Sequence, residues 1–288
     1  MSYYSKQWST ATPGYLIFLI DQSSSMGHIW VGDKTFAQYT SEIINQTINE
    51  LIATNAAGES VKNRVFITLI GYGGNHDVKD IRSDYINNYS ERPLRVDIFS
   101  KKVSDGSGGF IEMEMEVPIF LEPISSGLTP MSDAFKFAKK LIEGWITKKN
   151  DNPVPVIINI SDGRPEGGSE ELNKIEVENT IVAANEIMKL QTLDGYPLIF
   201  NVHIAKNEKE IQFPEFEFEL NDNPMAELLF KISSSVPFVY KQAAKDLELN
   251  EIGDNAKGFI SNASPETLLK FINFGSSGGV NRSTIYRD

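Results

Sequence analysis

Residues 15–27 read YLIFLIDQSSSMG. The apolar run from Tyr15 through Ile20 ends on the carboxylate of Asp21, and hydroxyls follow at alternate positions, Ser23 and Ser25. An apolar run of this length without polar alternation predicts a strand buried on both faces, as in a parallel sheet, which delivers three oxygen ligands to the sheet rim. Asp-x-Ser-x-Ser alone is a weak signal: at ordinary residue frequencies, about one chain in ten of this length holds it by accident. The strand in front of it adds weight, and so do two further segments, LTPMSDAF at 128–135 and INISDGRP at 158–165.

Outward from that strand, strands and helices alternate, which predicts one α/β domain with a mostly parallel central sheet and helices on both faces. The expected elements are a strand over 14–20, a helix over 36–54 and a strand over 64–71. The helix turns Phe36, Thr40, Ile43, Thr47, Ile48 and Leu51 to one face. Further on come a helix after Thr129 to about 147, a strand over 154–160, a helix over 170–190 and a strand over 198–204. The inner face of the helix after Thr129 is read as Ala134, Phe137, Ala138, Leu141 and Trp145. A short helix over 225–231, a strand at KGFIS and a helix over 265–274 close the chain. Two stretches break the pattern, 73–109 and 205–258, and are read as insertions in a single domain spanning 1–288, with 275–288 as a flexible tail. In GFIEMEMEVPIFLEP, Ile111, Met113, Met115 and Val117 alternate with Glu112, Glu114 and Glu116. That period of two predicts an antiparallel edge strand with one wet face, the glutamates guarding the edge.

Composition narrows the functions. The chain has 288 residues, 41% of them hydrophobic and 23% charged, enough to bury a sizeable core. It has no cysteine, which removes disulfide frameworks and thiolate metal sites and suits a reducing compartment. The first residues, MSYYSKQWSTATPG, lack the apolar core of a signal peptide, and the longest apolar runs are strand-length, so a cytoplasmic protein without membrane contact is expected. A net charge of −12 with no basic cluster argues against nucleic acid as a partner.

The chemistry gathers at three places. Asp21, Ser23 and Ser25 follow the first strand, Thr129 precedes Pro130 at a helix start, and Asp162 closes the strand VPVIINIS ahead of Gly163. In an open parallel sheet these loops fall at the carboxyl edge, where ligands bind. Five hard oxygen donors without His or Cys suit Mg²⁺ or Mn²⁺ far better than zinc.

This constellation resembles the metal-ion-dependent adhesion site of von Willebrand factor A (VWA) domains, which carry Asp-x-Ser-x-Ser after the first strand, a Thr before a central helix and Asp-Gly after the fourth strand. Asp21, Ser23, Ser25, Thr129 and Asp162 match in order, and the likeness runs from about residue 15 to 274. It is weakest over 73–109 and 205–258. The resemblance implies a Rossmann-like VWA fold and a non-catalytic module. In it Ser23, Ser25 and Thr129 touch the metal directly or through water, Asp21 and Asp162 act more through water, and a partner's Asp or Glu displaces an exchangeable water. Among subfamilies the chain looks most like short cytoplasmic bacterial ones, found near kinases, phosphatases or AAA+ ATPases.

Each piece also has a plainer reading. Asp21 and the serines can brace a turn, Thr129-Pro130 can be an N-cap followed by Pro at N1, and Asp162-Gly163 is a common turn pair. His28, Trp30 and Arg164 stand close enough in sequence to the motifs to be partner-contact candidates; equally, Trp30 packs the loop while His28 and Arg164 are solvated. An enzyme alternative is a haloacid-dehalogenase-like phosphatase with Asp21 as nucleophile, but Ser23 stands where that chemistry needs a second Asp as general acid. Nucleophile-elbow, zinc-protease and P-loop motifs are absent from the sequence. A third reading is an adaptor that binds through its insertions without metal.

Overall fold

The structure, a computed structural model, describes residues 3–74, 77–104, 109–205 and 209–276. The apolar run forms β1 (Gly14–Asp21), every residue of which is buried. After it come α1 (Phe36–Asn55), β2 (Val65–Gly73), β3 (Asp77–Tyr85), α2 (Ile86–Glu91), β4 (Arg95–Ser104) and β5 (Phe110–Ile119). The second half holds α3 (Met131–Lys148), β6 (Val156–Ser161), α4 (Glu170–Ile187), β7 (Leu198–His203), β8 (Ile211–Gln212), α5 (Pro224–Lys231), α6 (Phe238–Asp246), β9 (Phe259–Ser261) and α7 (Pro265–Gly275).

Seven strands make the central sheet in the order β8-β9-β7-β6-β1-β2-β3. The inner pairs are parallel, and β8 and β3 run antiparallel at the two edges. Side chains alternate across β1, so the sheet feeds two cores. Leu16, Phe18 and Ile20 pack with Ile44, Ile48, Phe271 and Phe274 on the α1 and α7 side. Tyr15, Ile17 and Leu19 pack with Phe135, Ala138, Ala184 and Leu229 on the α3, α4 and α5 side. Each large apolar side chain fully buried this way contributes ~1.5–3 kcal/mol of transfer free energy. The arrangement is the helix-flanked, mostly parallel α/β sheet that the VWA resemblance implies. No helix among the described residues is long and apolar enough to cross a membrane.

Three expectations need correction. The glutamate-rich strand does not edge the central sheet: among the described residues β5 pairs with β4 alone, in a separate two-stranded ribbon. Both of its faces are wet from Ile111 to Glu116, so Ile111, Met113 and Met115 are exposed along with the glutamates. A period of two marks a strand with unlike faces but does not name its neighbour. The edge beside β2 is instead β3, from the 73–109 stretch, paired with β2 from Phe66 to Gly73. On α3 the buried face is Met131, Ala134, Phe135, Ala138 and Ile142, while Phe137, Leu141 and Trp145 are half-buried at the margin. The 205–258 stretch holds α6, buried through Tyr240, Ala243 and Ala244, as well as α5. Of the tail read over 275–288, Gly275 and Ser276 end α7, and 277–288 lie outside the described residues.

Candidate metal centre

Parallel pairing of β1 with β6, in register from Leu16 opposite Val156 to Ile20 opposite Ile160, brings the carboxyl ends of the two strands side by side. Asp21 therefore comes beside Ser161, whose hydroxyl donates to Asp21 Oδ2 at 2.6 Å. The other carboxylate oxygen, Oδ1, accepts the Ser23 N–H at 2.8 Å. Above this pair the hydroxyls form a chain: Ser25 Oγ donates to Asp162 Oδ1 at 2.8 Å, and Ser23 Oγ lies 3.0 Å from Ser25 Oγ. A hydroxyl has one proton. Since that of Ser25 goes to Asp162, Ser23 is the donor to Ser25, and the donors run in one direction.

Thr129 is buried and lines the same open cleft as Ser25 and Asp162, a hollow of about 850 Å³. Its loop is stitched to the other two through the backbone. Ser24 N donates to Gly127 O at 3.0 Å, Ser126 N to Gln22 O at 2.7 Å and Glu166 N to Thr129 O at 3.1 Å. Gly74 and Gly127 bridge the turns after β2 and before α3, and a Cβ on Gly127 (φ +72°) would come within 2.2 Å of Gly74 Cα. Glycine is required there both for the positive φ and for the close approach.

Thr129 is not the N-cap of α3. The helix begins at Met131 after Pro130, and its first turn is capped from outside: Glu176 of α4, itself buried, accepts Ser132 N–H at 2.8 Å and Ser132 Oγ–H at 2.9 Å. A carboxylate from a neighbouring helix thus does the work expected of the Thr hydroxyl, and suits the positive end of the helix dipole. This leaves the Thr129 side chain to the cleft.

The carboxylates are costly where they stand. Asp21 is 1% exposed, and burial, helped by the nearby charge of Asp162, pushes its pKa up to about 7 against the hydrogen bonds from Ser161 and Ser23. Burial also pushes Asp162 up to about 6, with Ser25 opposing and Glu166 adding to the rise. Among the described residues neither carboxylate has a Lys, Arg or His ion-pair partner. A buried and a half-buried carboxylate without an ion-pair partner, beside aligned hydroxyl oxygens, fit a hard divalent cation. Among the described residues no three His, Cys, Asp or Glu side chains gather as a metal cluster. Any metal here would therefore rely on the hydroxyls as well as the two carboxylates.

His28 and Arg164 are exposed and line the cleft, as does Glu166. Trp30 turns away from it and packs half-buried against Phe36 and Tyr39, with ring centroids 5.6 and 5.4 Å apart. Of the three contact candidates, two stand at the cleft and Trp30 braces the loop onto α1. Sequence reasoning passed over Ser161, although a hydroxyl ending a buried strand next to Asp162 was a visible signal. It also passed over Glu176 and Gly127, whose parts depend on contacts that no local pattern encodes.

No family model matches this sequence, and no curated protein matches it. Similar solved structures include the PilB minor pilin from Streptococcus sanguinis, 8% identical, covering 96% of this chain and 62% of that one with a TM-score of 0.48. The pilus adhesin SpaC from Lactobacillus rhamnosus GG is 10% identical over 93% of this chain and 30% of that one, with a TM-score of 0.47. The vWF domain of the type V pili tip protein Mfa5 from Porphyromonas gingivalis is 13% identical over 92% of this chain and 95% of that one, with a TM-score of 0.43. The chain thus spans about three fifths of the PilB chain and under a third of the SpaC chain.

Proposed function

We propose that this protein is a non-catalytic, divalent-metal-dependent protein-binding module. Asp21, Ser23, Ser25, Thr129 and Asp162 would hold Mg²⁺ or Mn²⁺, and an Asp or Glu of the partner protein would complete the site. The observation that carries the reading is a buried carboxylate, Asp21, and a half-buried one, Asp162, neither in an ion pair among the described residues, joined to a directed row of hydroxyls at an open cleft. Bound there, a divalent ion supplies positive charge and a coordination position that a ligand oxygen can enter. The chain's own residues do the rest. Asp21 lies beneath the cleft with both oxygens accepting hydrogen bonds, so it acts as a fixed negative charge. Ser25, Thr129 and Asp162 face the cleft, and Arg164 stands beside them with a positive charge that favours an acidic partner.

The phosphatase alternative loses ground on the same geometry. A nucleophilic carboxylate needs an oxygen open to the substrate, and Asp21 is 1% exposed with both oxygens engaged. Affinity capture with the purified chain in Mg²⁺ and in EDTA, read by mass spectrometry, tests the proposal. Partners recovered in Mg²⁺ should be lost in EDTA and with Asp21→Ala. Partners retained equally in EDTA would replace this reading with an adaptor that binds through other surfaces.

A further inference from the structure

Beneath the rim, on the α3–α4–α5 side of the sheet, a row of buried polar side chains crosses from β2 to β6 to β7. The Tyr72 hydroxyl donates to Asn159 Oδ1 at 2.9 Å, and Asn159 Nδ2 donates to Asn201 Oδ1 at 2.9 Å. Asn201 Nδ2 donates in turn to Ser233 Oγ at 2.9 Å and to Leu229 O at 3.2 Å, and Ser233 Oγ donates to Leu229 O at 2.7 Å. Tyr72, Asn159, Asn201 and Ser233 are all 0% exposed.

The row has a polarity set from its far end. A backbone carbonyl only accepts, so the Asn201 amide must turn its NH₂ toward Leu229 and its oxygen toward Asn159. Asn159 must then point its NH₂ at Asn201 and its oxygen at Tyr72. Tyr72 stands opposite Asp21 in the parallel register of β1 with β2, and its one proton is taken by that Asn159 oxygen. Ser161 also has one proton, directed at Asp21. The asparagines thus draw the Tyr72 proton away from the Asp21–Ser161 pair.

We propose that Asn159, oriented by Asn201, is a positioning residue for the metal centre: by holding the Tyr72 proton it keeps the phenol from donating toward Asp21 and Ser161, and leaves the Asp21 charge for a cation. The inference rests on the metal reading above.

Calorimetric titration of Mg²⁺ and Mn²⁺ into the full chain and its variants tests it. Tyr72→Phe should bind metal within about twofold of the unmodified chain, because no donor to the carboxylate is lost. Asn159→Leu should weaken binding about tenfold, the lower end for one new hydrogen bond to a charged group, because the freed phenol turns toward Asp21 and Ser161. The double variant Asn159→Leu/Tyr72→Phe should return to within about threefold of the unmodified chain. A merely structural role for Asn159 predicts instead a double variant as weak as the single one, or weaker. If Asn159→Leu does not fold, Asn201→Leu serves the same test, since it frees Asn159 to turn its NH₂ to Tyr72 and reverse the phenol proton. Absence of metal binding in the unmodified chain would overturn the metal centre and this inference together. Binding there, with no rescue in the double variant, no loss in the single asparagine variant, or tighter binding in Tyr72→Phe, would overturn the inference alone.

Discussion

Replacing Asp21 by Asn should stabilise the metal-free protein at alkaline pH and lose that advantage in mild acid. The folded-state pKa of about 7 lies above the ordinary 3.8. A raised carboxyl pKa contributes stability that is fully present below 3.8 and is lost as pH rises through about 7. Between pH 5 and pH 8 the unmodified protein therefore loses the two pH units from 5 to about 7, which at ~1.4 kcal/mol each is about 3 kcal/mol. The substituted amide carries no charge and has no such dependence. It keeps one acceptor for the Ser23 N–H, and Ser161 can turn its proton to Gly163 O, 3.2 Å away. Urea unfolding in EDTA at both pH values measures the difference. Relative to the unmodified chain, the variant should improve by about 3 kcal/mol between pH 5 and pH 8. With excess Mg²⁺ at pH 8 the order should move the other way, because metal at a hundredfold over Kd adds ~2.7 kcal/mol to the unmodified chain only. A stability gap in EDTA that does not change with pH would refute the argument that the Asp21 charge is unmet in the metal-free fold.

Thr129→Ala should weaken Mg²⁺ binding by about tenfold, as expected for one lost oxygen contact to a charge, while leaving the urea midpoint in EDTA unchanged; calorimetry reads the first and unfolding the second. Glu176→Ala strips two buried donors on Ser132 of their acceptor and should cost about 2–4 kcal/mol in chemical unfolding, with metal affinity falling because α3 no longer holds the Thr129 loop. Phe135→Ala should cost about 3–5 kcal/mol, and Phe137→Ala distinctly less, because only the first is fully buried on α3. Equal losses would return the inner face of the helix to the reading made from sequence.

How much could be read from sequence depended on whether the physics was local. β1 and β6 stood out because strands buried on both faces are mostly apolar and show no polar alternation, and the candidate donors follow at their carboxyl ends. β3 did not, because DVKDIRSDY is largely exposed at a sheet edge and places few apolar residues on its covered side. α6 is short, and its buried face includes two alanines, so its amphipathic pattern is faint. At the rim, the positions of Asp21, Ser23, Ser25, Thr129 and Asp162 could be placed from spacing, since two strand ends and a helix start carry them in order. The cap on Ser132 could not, because Glu176 reaches it from 44 residues away. Nor could the Gly74–Gly127 contact, which depends on two turns meeting in space.

The placement of charge across the rim bears on why such a site would serve recognition rather than storage. On the proposed reading, the cleft-facing set is one carboxylate, Asp162, with the hydroxyls of Ser25 and Thr129, while Asp21 sits below and Ser23 is buried. Two carboxylates could balance a divalent charge, but one of them is separated from the cleft and already accepts two hydrogen bonds. Of the five donors, the open side therefore offers one carboxylate with neutral hydroxyls, which leaves part of a divalent charge unmatched once a cation is held. A carboxylate arriving from a partner meets that deficit through a charge-assisted contact, and the rigid stitching of the three loops means little reorganisation opposes it. A site lined by several carboxylates would hold metal more firmly and offer a partner less. The hydroxyls at Ser23, Ser25 and Thr129 are what tip this one toward binding in company.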